Sequence, residues 1–262
     1  MKHACIVAVL AFGMAAPAAA DVTIRQTTNG RGLGMSGQMT GITYIRGHRM
    51  RTDVIERDRT RTTIFDLDTQ KMYSFDSKKK EADVWDMAAV AADVAKSVDV
   101  SSLKATITPN GQNKSIADQT ASGYDMSVSM TAGMAGSKDL DMTVTLAGPL
   151  WVVTGAPGTD DYVGFYRAAA EKGWIFGDPR AAKGPPGQAR AMSEMYNRLA
   201  ELGGIAYETD VQIKMGGSGP MASLMSRMGN ITMTTVVQSV ETTPLADELF
   251  APPAGYKLNE KK

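Results

Sequence analysis

Apolar and polar positions alternate with a period of two along many short segments of this chain. In Gly123 to Met130, Tyr124, Met126, Val128 and Met130 share one face and Asp125, Ser127 and Ser129 the other. The pattern returns in Met142, Val144 and Leu146 against Thr143 and Thr145, and in Ile205, Tyr207, Val211, Ile213 and Met215. Such segments predict antiparallel strands with one buried face. Thr62 to Leu67, Lys71 to Phe75 and Ala82 to Trp85 are β-prone runs separated by turn-forming "DTQ" and "DSKKK", and so predict a three-stranded meander. "GITYIRGHRMRTDVIE", broken near Gly47, adds a hairpin, so about five short strands precede Met87.

Three segments switch to helical spacing. Met87 to Ser97 is alanine-rich with Val90 and Val94 four apart. Asp160 to Lys172 has Thr159 as its expected cap, acids in its first turn and Gly173 beyond its end. After "GPPG", Met192, Met195, Tyr196, Leu199 and Leu202 form a stripe that Gly203 stops. Runs of strands with helices bunched between them predict an α+β fold. The Gly/Met-rich stretch at 216–229 reads as an insertion between two strands, and residues 21–262 otherwise as a single domain.

The first twenty residues combine Lys2, an apolar run from Ala4, Pro17 and an Ala18-Ala19-Ala20 cleavage site, the pattern of a secretory signal peptide. That run is shorter than the roughly 18 residues a membrane-spanning helix needs. A periplasmic, non-spanning, non-lipidated protein is therefore expected. The one cysteine, Cys5, leaves with the leader, and thiol chemistry leaves with it. Removing Lys2 from the 28 basic residues leaves 27 against 28 acids, so no global basic field invites nucleic acid.

Several motifs invite a chemical reading. Gly32-x-Gly34-x-x-Gly37 spells a dinucleotide fingerprint, but a strand follows where that motif must open a helix. Asp66, Asp68 and Gln70 mimic the start of a calcium loop, with Lys71 where glycine is needed and Ser77 where glutamate is needed, so they read as turn residues. His48 is the only histidine beyond the leader and has no nucleophile fixed near it by spacing. Ser77-x-x-Lys80 and Ser101-x-x-Lys104 lack the companion motifs of serine–lysine enzymes. A non-enzymatic protein without a cofactor is expected.

Two features point elsewhere. Arg46, Arg49 and Arg51, with Arg57, Arg59 and Arg61, crowd two adjacent strands, and guanidinium groups suit an anionic group or an acidic envelope partner. Interleaved Asp53, Glu56 and Asp58 offer internal pairing as the plainer alternative. Methionine is abundant, with 18 in the chain, and thioethers adapt to varied apolar ligands. Met221, Met225 and Met228 align at helical spacing and raise copper(I) as a lesser alternative.

"ITYIRGHRMRTDV", "TTIFDLDTQKMYSFDSKKKEADVW", "IADQTASGYDMSV", "GIAYETDVQI" and "ADELFAPPAGYKL" together resemble the successive blocks of an exported bacterial domain family of unknown function. That family is similar in outline to the LolA, LolB and LppX half-barrels. The resemblance implies a strongly curved antiparallel sheet whose concave face is covered by helices and shelters acyl chains. On this reading the expected function is a periplasmic carrier or sensor for a lipid or acylated ligand. Its expected lining is Met126, Met130, Met142, Met233, Trp151 and Phe165, with Met221, Met225 and Met228 in a lid hinged at Gly216, Gly217 and Gly219. The alternative is an interaction module that uses the arginine hairpin.

Overall fold

A computed structural model describes residues 21–32, 35–97, 103–133, 141–172, 188–217 and 231–261. The expected leader and the stretch 218–230 lie outside the described residues. The chain opens with β1 (Val22–Gly32), β2 (Met35–Arg46), β3 (Arg49–Glu56), β4 (Arg59–Asp66), β5 (Lys71–Asp76) and β6 (Glu81–Asp86). Helix α1 (Met87–Ser97) follows, then β7 (Lys104–Ile116), β8 (Gln119–Gly133) and β9 (Asp141–Thr154). Helices α2 (Thr159–Glu171) and α3 (Gln188–Glu201) precede β10 (Gly204–Gly217) and β11 (Ile231–Glu241). A 3-10 turn at Asp247–Phe250 and β12 (Lys257–Glu260) complete the described elements.

The fold is α+β and mostly sheet: among the described residues twelve strands form one open sheet in the order β12-β6-β5-β4-β3-β2-β1-β11-β10-β9-β8-β7. All pairings are antiparallel except β12 on β6, so the sheet is mixed, whereas a wholly antiparallel one was expected. A strand arriving from across the sheet runs in whichever direction its approach dictates, and alternation within "YKLNE" carries no sign of that direction. Ala117 and Asp118, at φ 48° and 60°, make the two-residue loop joining β7 to β8, the primed geometry that matches strand twist.

The expected helices are all present. Thr159 is the first residue of α2 and not its cap. Gly158 takes the cap position with φ 75°, and a Cβ there would press on Val22. Thr159 Oγ1 instead donates to Ala156 O at 2.7 Å.

One buried face per strand was expected, yet two regions of the sheet are buried on both. The largest apolar cluster gathers Val22, Ile24, Ile45, Met50, Phe65 and Met72 from one half of the sheet and Ile116, Ala121, Val153 and Ile205 from the other, with Phe165 and Tyr166 of α2 among them. On the β8–β9 segment a second cluster holds Met126, Val128, Leu146, Leu150 and Val152; Leu150 and Val152 alternate with Trp151 and Val153 of the first cluster, which puts the second on the opposite face there. Helix α3 joins the two, giving Ala200 to the first and Leu199 to the second. A third cluster, Ile64, Phe75, Ala82 and Phe250, lies on the outer face of β4–β6 beneath the segment after β11.

Candidate functional site

Four of the methionines meet on one face of the sheet. Met126 and Met130 of β8 are buried, and Met130 stands opposite Val144 of β9. Met215 of β10 also stands opposite Val144, and Met233 of β11 stands opposite Val211. Direct partners project from the same side of a sheet, so these methionines share one face with Val128, Leu146, Val211 and Ile213. Toward β8 this face is sealed, with Met126 packed in the cluster that takes Leu199 and Met195 of α3. Toward β10 and β11 it is half-open: Met215, Ile213, Val211 and Met233 are only partly buried.

The remaining expected lining residues divide. Trp151 and Phe165 belong to the first apolar cluster, on the other side of β9 from Met126. The Trp151 ring carries the Lys114 ammonium 4.4 Å from its centroid and crowds Gly123, where any Cβ would strike Trp151 and Asn110. Met142 lies in β9 with Ala132 and Gly217 as strand partners, while its side chain lies outside the described residues. Met221, Met225 and Met228 lie outside them as well, as does Gly219 of the expected hinge, while Gly216 and Gly217 end β10.

Above the first cluster, α2 and α3 meet through aromatic rings. Tyr166 stacks on Tyr196 with centroids 5.0 Å apart, and Tyr162 lies 4.7 Å from Tyr166. Burial pushes all three phenols upward, reinforced at Tyr162 by the neighbouring Tyr196 and at Tyr166 by both partners. Beside the rings the two helices leave a cleft of about 370 Å3 lined by Arg167, Glu171, Glu194, Asn197, Arg198 and Glu201. Arg198 reaches Glu201 at 3.1 Å and Glu194 at 3.2 Å, and the Glu201 hydrogen bond and charge, followed by the Glu194 charge, raise its pKa. Spacing alone hid this cleft, because its lining comes from two helices separated by a long connection.

The arginine hairpin meets the C-terminal segment. Arg46 Nη1 donates to Leu245 O at 2.7 Å and to Asp247 Oδ1 at 3.3 Å. Arg49 donates to the same Asp247 oxygen at 2.7 Å and lies 5.1 Å over the Phe250 ring. Arg51 donates to Leu249 O at 3.1 Å and to both oxygens of buried Asp53, which also accepts from Thr62 Oγ1 at 2.7 Å. Asp247 is held below the usual carboxylate range by the Arg49 hydrogen bond first, then by the charges of Arg46 and Arg49.

Elsewhere the acids serve turns. Asp66 Oδ1 accepts from the amides of Asp68 and Thr69, both at 3.0 Å, which is a turn arrangement. His48 Nδ1 lies 2.8 Å from Asp68 Oδ1 on the exposed rim. Among the described residues no cluster of three His, Cys, Asp or Glu is placed to hold a metal, and no helix is long and apolar enough to cross a membrane.

No family profile and no curated protein matches this chain. Among solved structures, that of PNGF-II is similar to it at 10% identity and a TM-score of 0.35, over 93% of this chain and 31% of that one. The chain thus spans less than a third of that protein's length.

Proposed function

We propose that this protein is a non-enzymatic periplasmic carrier or sensor whose apolar or acylated ligand lies on the methionine-bearing face of β8–β11. The observation that carries the reading is the half-open stretch of that face, where Met215 and Met233 border Val211 and Ile213 next to the sealed floor around Met126. Thioether side chains have three rotatable bonds and a polarisable sulfur, so such a floor accommodates acyl chains of different length and bend. The open, mostly-sheet architecture supports a half-barrel, the packing of α3 beside Met126 supports a partial cover on this face, and the signal-like leader supports the compartment.

The test is native mass spectrometry of protein purified from the periplasm without detergent, followed by organic extraction. A stoichiometric acylated companion is expected. A bare mass that stays unchanged after incubation with envelope lipids overturns the carrier.

A further inference from the structure

We infer that the end of the sheet formed by the β3–β4 turn, the β5–β6 turn and the start of β12 docks on an anionic phospholipid surface. Strand pairing brings these segments together: Glu56 stands opposite Arg59, Arg61 opposite Asp76 and Glu81 opposite Lys257. Lys78 Nζ reaches Asp58 Oδ2 at 2.7 Å and ties one turn to the other. Lys257 N donates to Lys80 O at 3.0 Å and holds β12 beside them. The carboxylates of this edge are already engaged. Asp76 pairs with Arg59, Glu56 with Arg61 at 3.2 Å and Asp58 with Lys78, while Glu81 accepts from Asn259 at 3.2 Å. Arg57, Lys79, Lys80 and Lys257 are left exposed, with no carboxylate partner among the described residues.

Four unneutralised cations on neighbouring turns suit a surface of spread negative charge. A protein interface adds an apolar centre to its charged rim, and among the described residues this edge exposes no large apolar side chain except Leu258, at 52%. A bilayer asks only for cations within a Debye length, about 8–10 Å, of its phosphates. Lysine and arginine side chains on turns that end the sheet meet that condition without a fitted pocket. The same end of the sheet bears the half-open methionine stretch. Ile55 stands opposite Thr40, Thr40 opposite Thr27 and Thr27 opposite Val236. Arg57 lies two positions beyond Ile55, and Met233 three positions beyond Val236 in the same direction. A docked molecule therefore turns that stretch toward the bilayer, although the docking itself does not depend on the carrier reading.

The experiment is co-sedimentation of protein purified from the periplasm with vesicles of phosphatidylcholine alone, or of phosphatidylcholine and phosphatidylglycerol in equal parts, at low salt. Binding to the mixed vesicles only, released by added salt, is expected. K79Q/K80Q should weaken it about 25-fold, roughly fivefold for each charge removed. R25Q/K104Q removes the same charge from exposed sites elsewhere on the sheet and should weaken it less than about twofold. Absence of binding, equal binding to both kinds of vesicle, or equal weakening by the two double variants overturns the inference. Capture by polyglutamate in place of vesicles overturns it in favour of an acidic protein. Cargo is read separately by mass spectrometry, so docking and carriage can each fail alone.

Discussion

Arg49 and Asp247 lie 198 positions apart in the chain and meet at 2.7 Å, fastening the segment after β11 to the outer face of the opposite half of the sheet. Arg49 also covers the ring of Phe250, so one side chain grips the segment by charge and by its flat guanidinium face.

Acid should loosen this contact. The folded pKa of Asp247 lies below its ordinary value of 3.8, so its contribution is complete above that value and is lost as pH falls through the depressed one. Amide exchange of residues 257–261 is expected to accelerate below the ordinary carboxylate range, before the β8–β9 amides do. Arg49→Ala should move the Asp247 carboxyl midpoint, followed by NMR, back toward 3.8.

Phe250 supplies the apolar half of the same contact. At 5% exposure, Phe250→Ala should cost about 3–5 kcal/mol, read from denaturant unfolding. Leu258, 52% exposed on β12, serves as the contrast, and Leu258→Ser should stay within about 0.5 kcal/mol.

Gly148 tests strand pairing. A Cβ there would overlap the Asp210 carbonyl oxygen on β10, a backbone atom with no freedom to withdraw. Gly148→Ala is therefore expected to destabilise by about 1–3 kcal/mol or more, with amide exchange raised first along β9 and β10.

The tyrosines predict an alkaline limit. Tyr162, Tyr166 and Tyr196 remain neutral in the folded protein above the ordinary phenol value of 10.0, while unfolded phenols ionise there. Stability linked to them is complete below about pH 10 and falls as pH rises beyond it. In an ultraviolet titration these three should ionise only together with unfolding, and Tyr166→Phe should reduce the size of that late step.

On the methionine face, Met215→Gln and Met233→Gln alter half-buried side chains at the open end. Together they should reduce co-purified acyl cargo several-fold while leaving the unfolding midpoint within a few degrees. Unchanged cargo would count against a ligand on this face.

Much of the architecture was legible in the sequence because it is local. Alternation located the strands around Met126, Val144 and Ile213, and the 3.6-residue stripe of Met195, Tyr196, Leu199 and Leu202 located α3. Faces were harder to read. Trp151 and Leu150 are both apolar neighbours, and only a strand covered on both sides explains why each finds a cluster. Of the expected lining, Met126, Met130 and Met233 do share a side, while Trp151 and Phe165 lie on the other. The mate of the arginine hairpin was invisible, since "ADELF" looks like any acidic turn until the chain crosses the sheet to meet Arg46, Arg49 and Arg51.

The place of β1 has a consequence for how this molecule comes together. It precedes the other described strands in the chain, yet it sits inside the sheet between β2 and β11, whose Glu241 is the partner of Thr23. A chain emerging from its amino end can stack β1 to β6 as consecutive hairpins at once, and later β7 to β9 as another set. The seam between β1 and β11 waits until some two hundred further residues have followed β1. Until then β1 shows a bare edge, and closing it joins residues more than two hundred positions apart, a pairing that makes assembly slow and leaves the half-built sheet prone to stick. Chaperone demand should therefore fall sharply once β11 has been delivered.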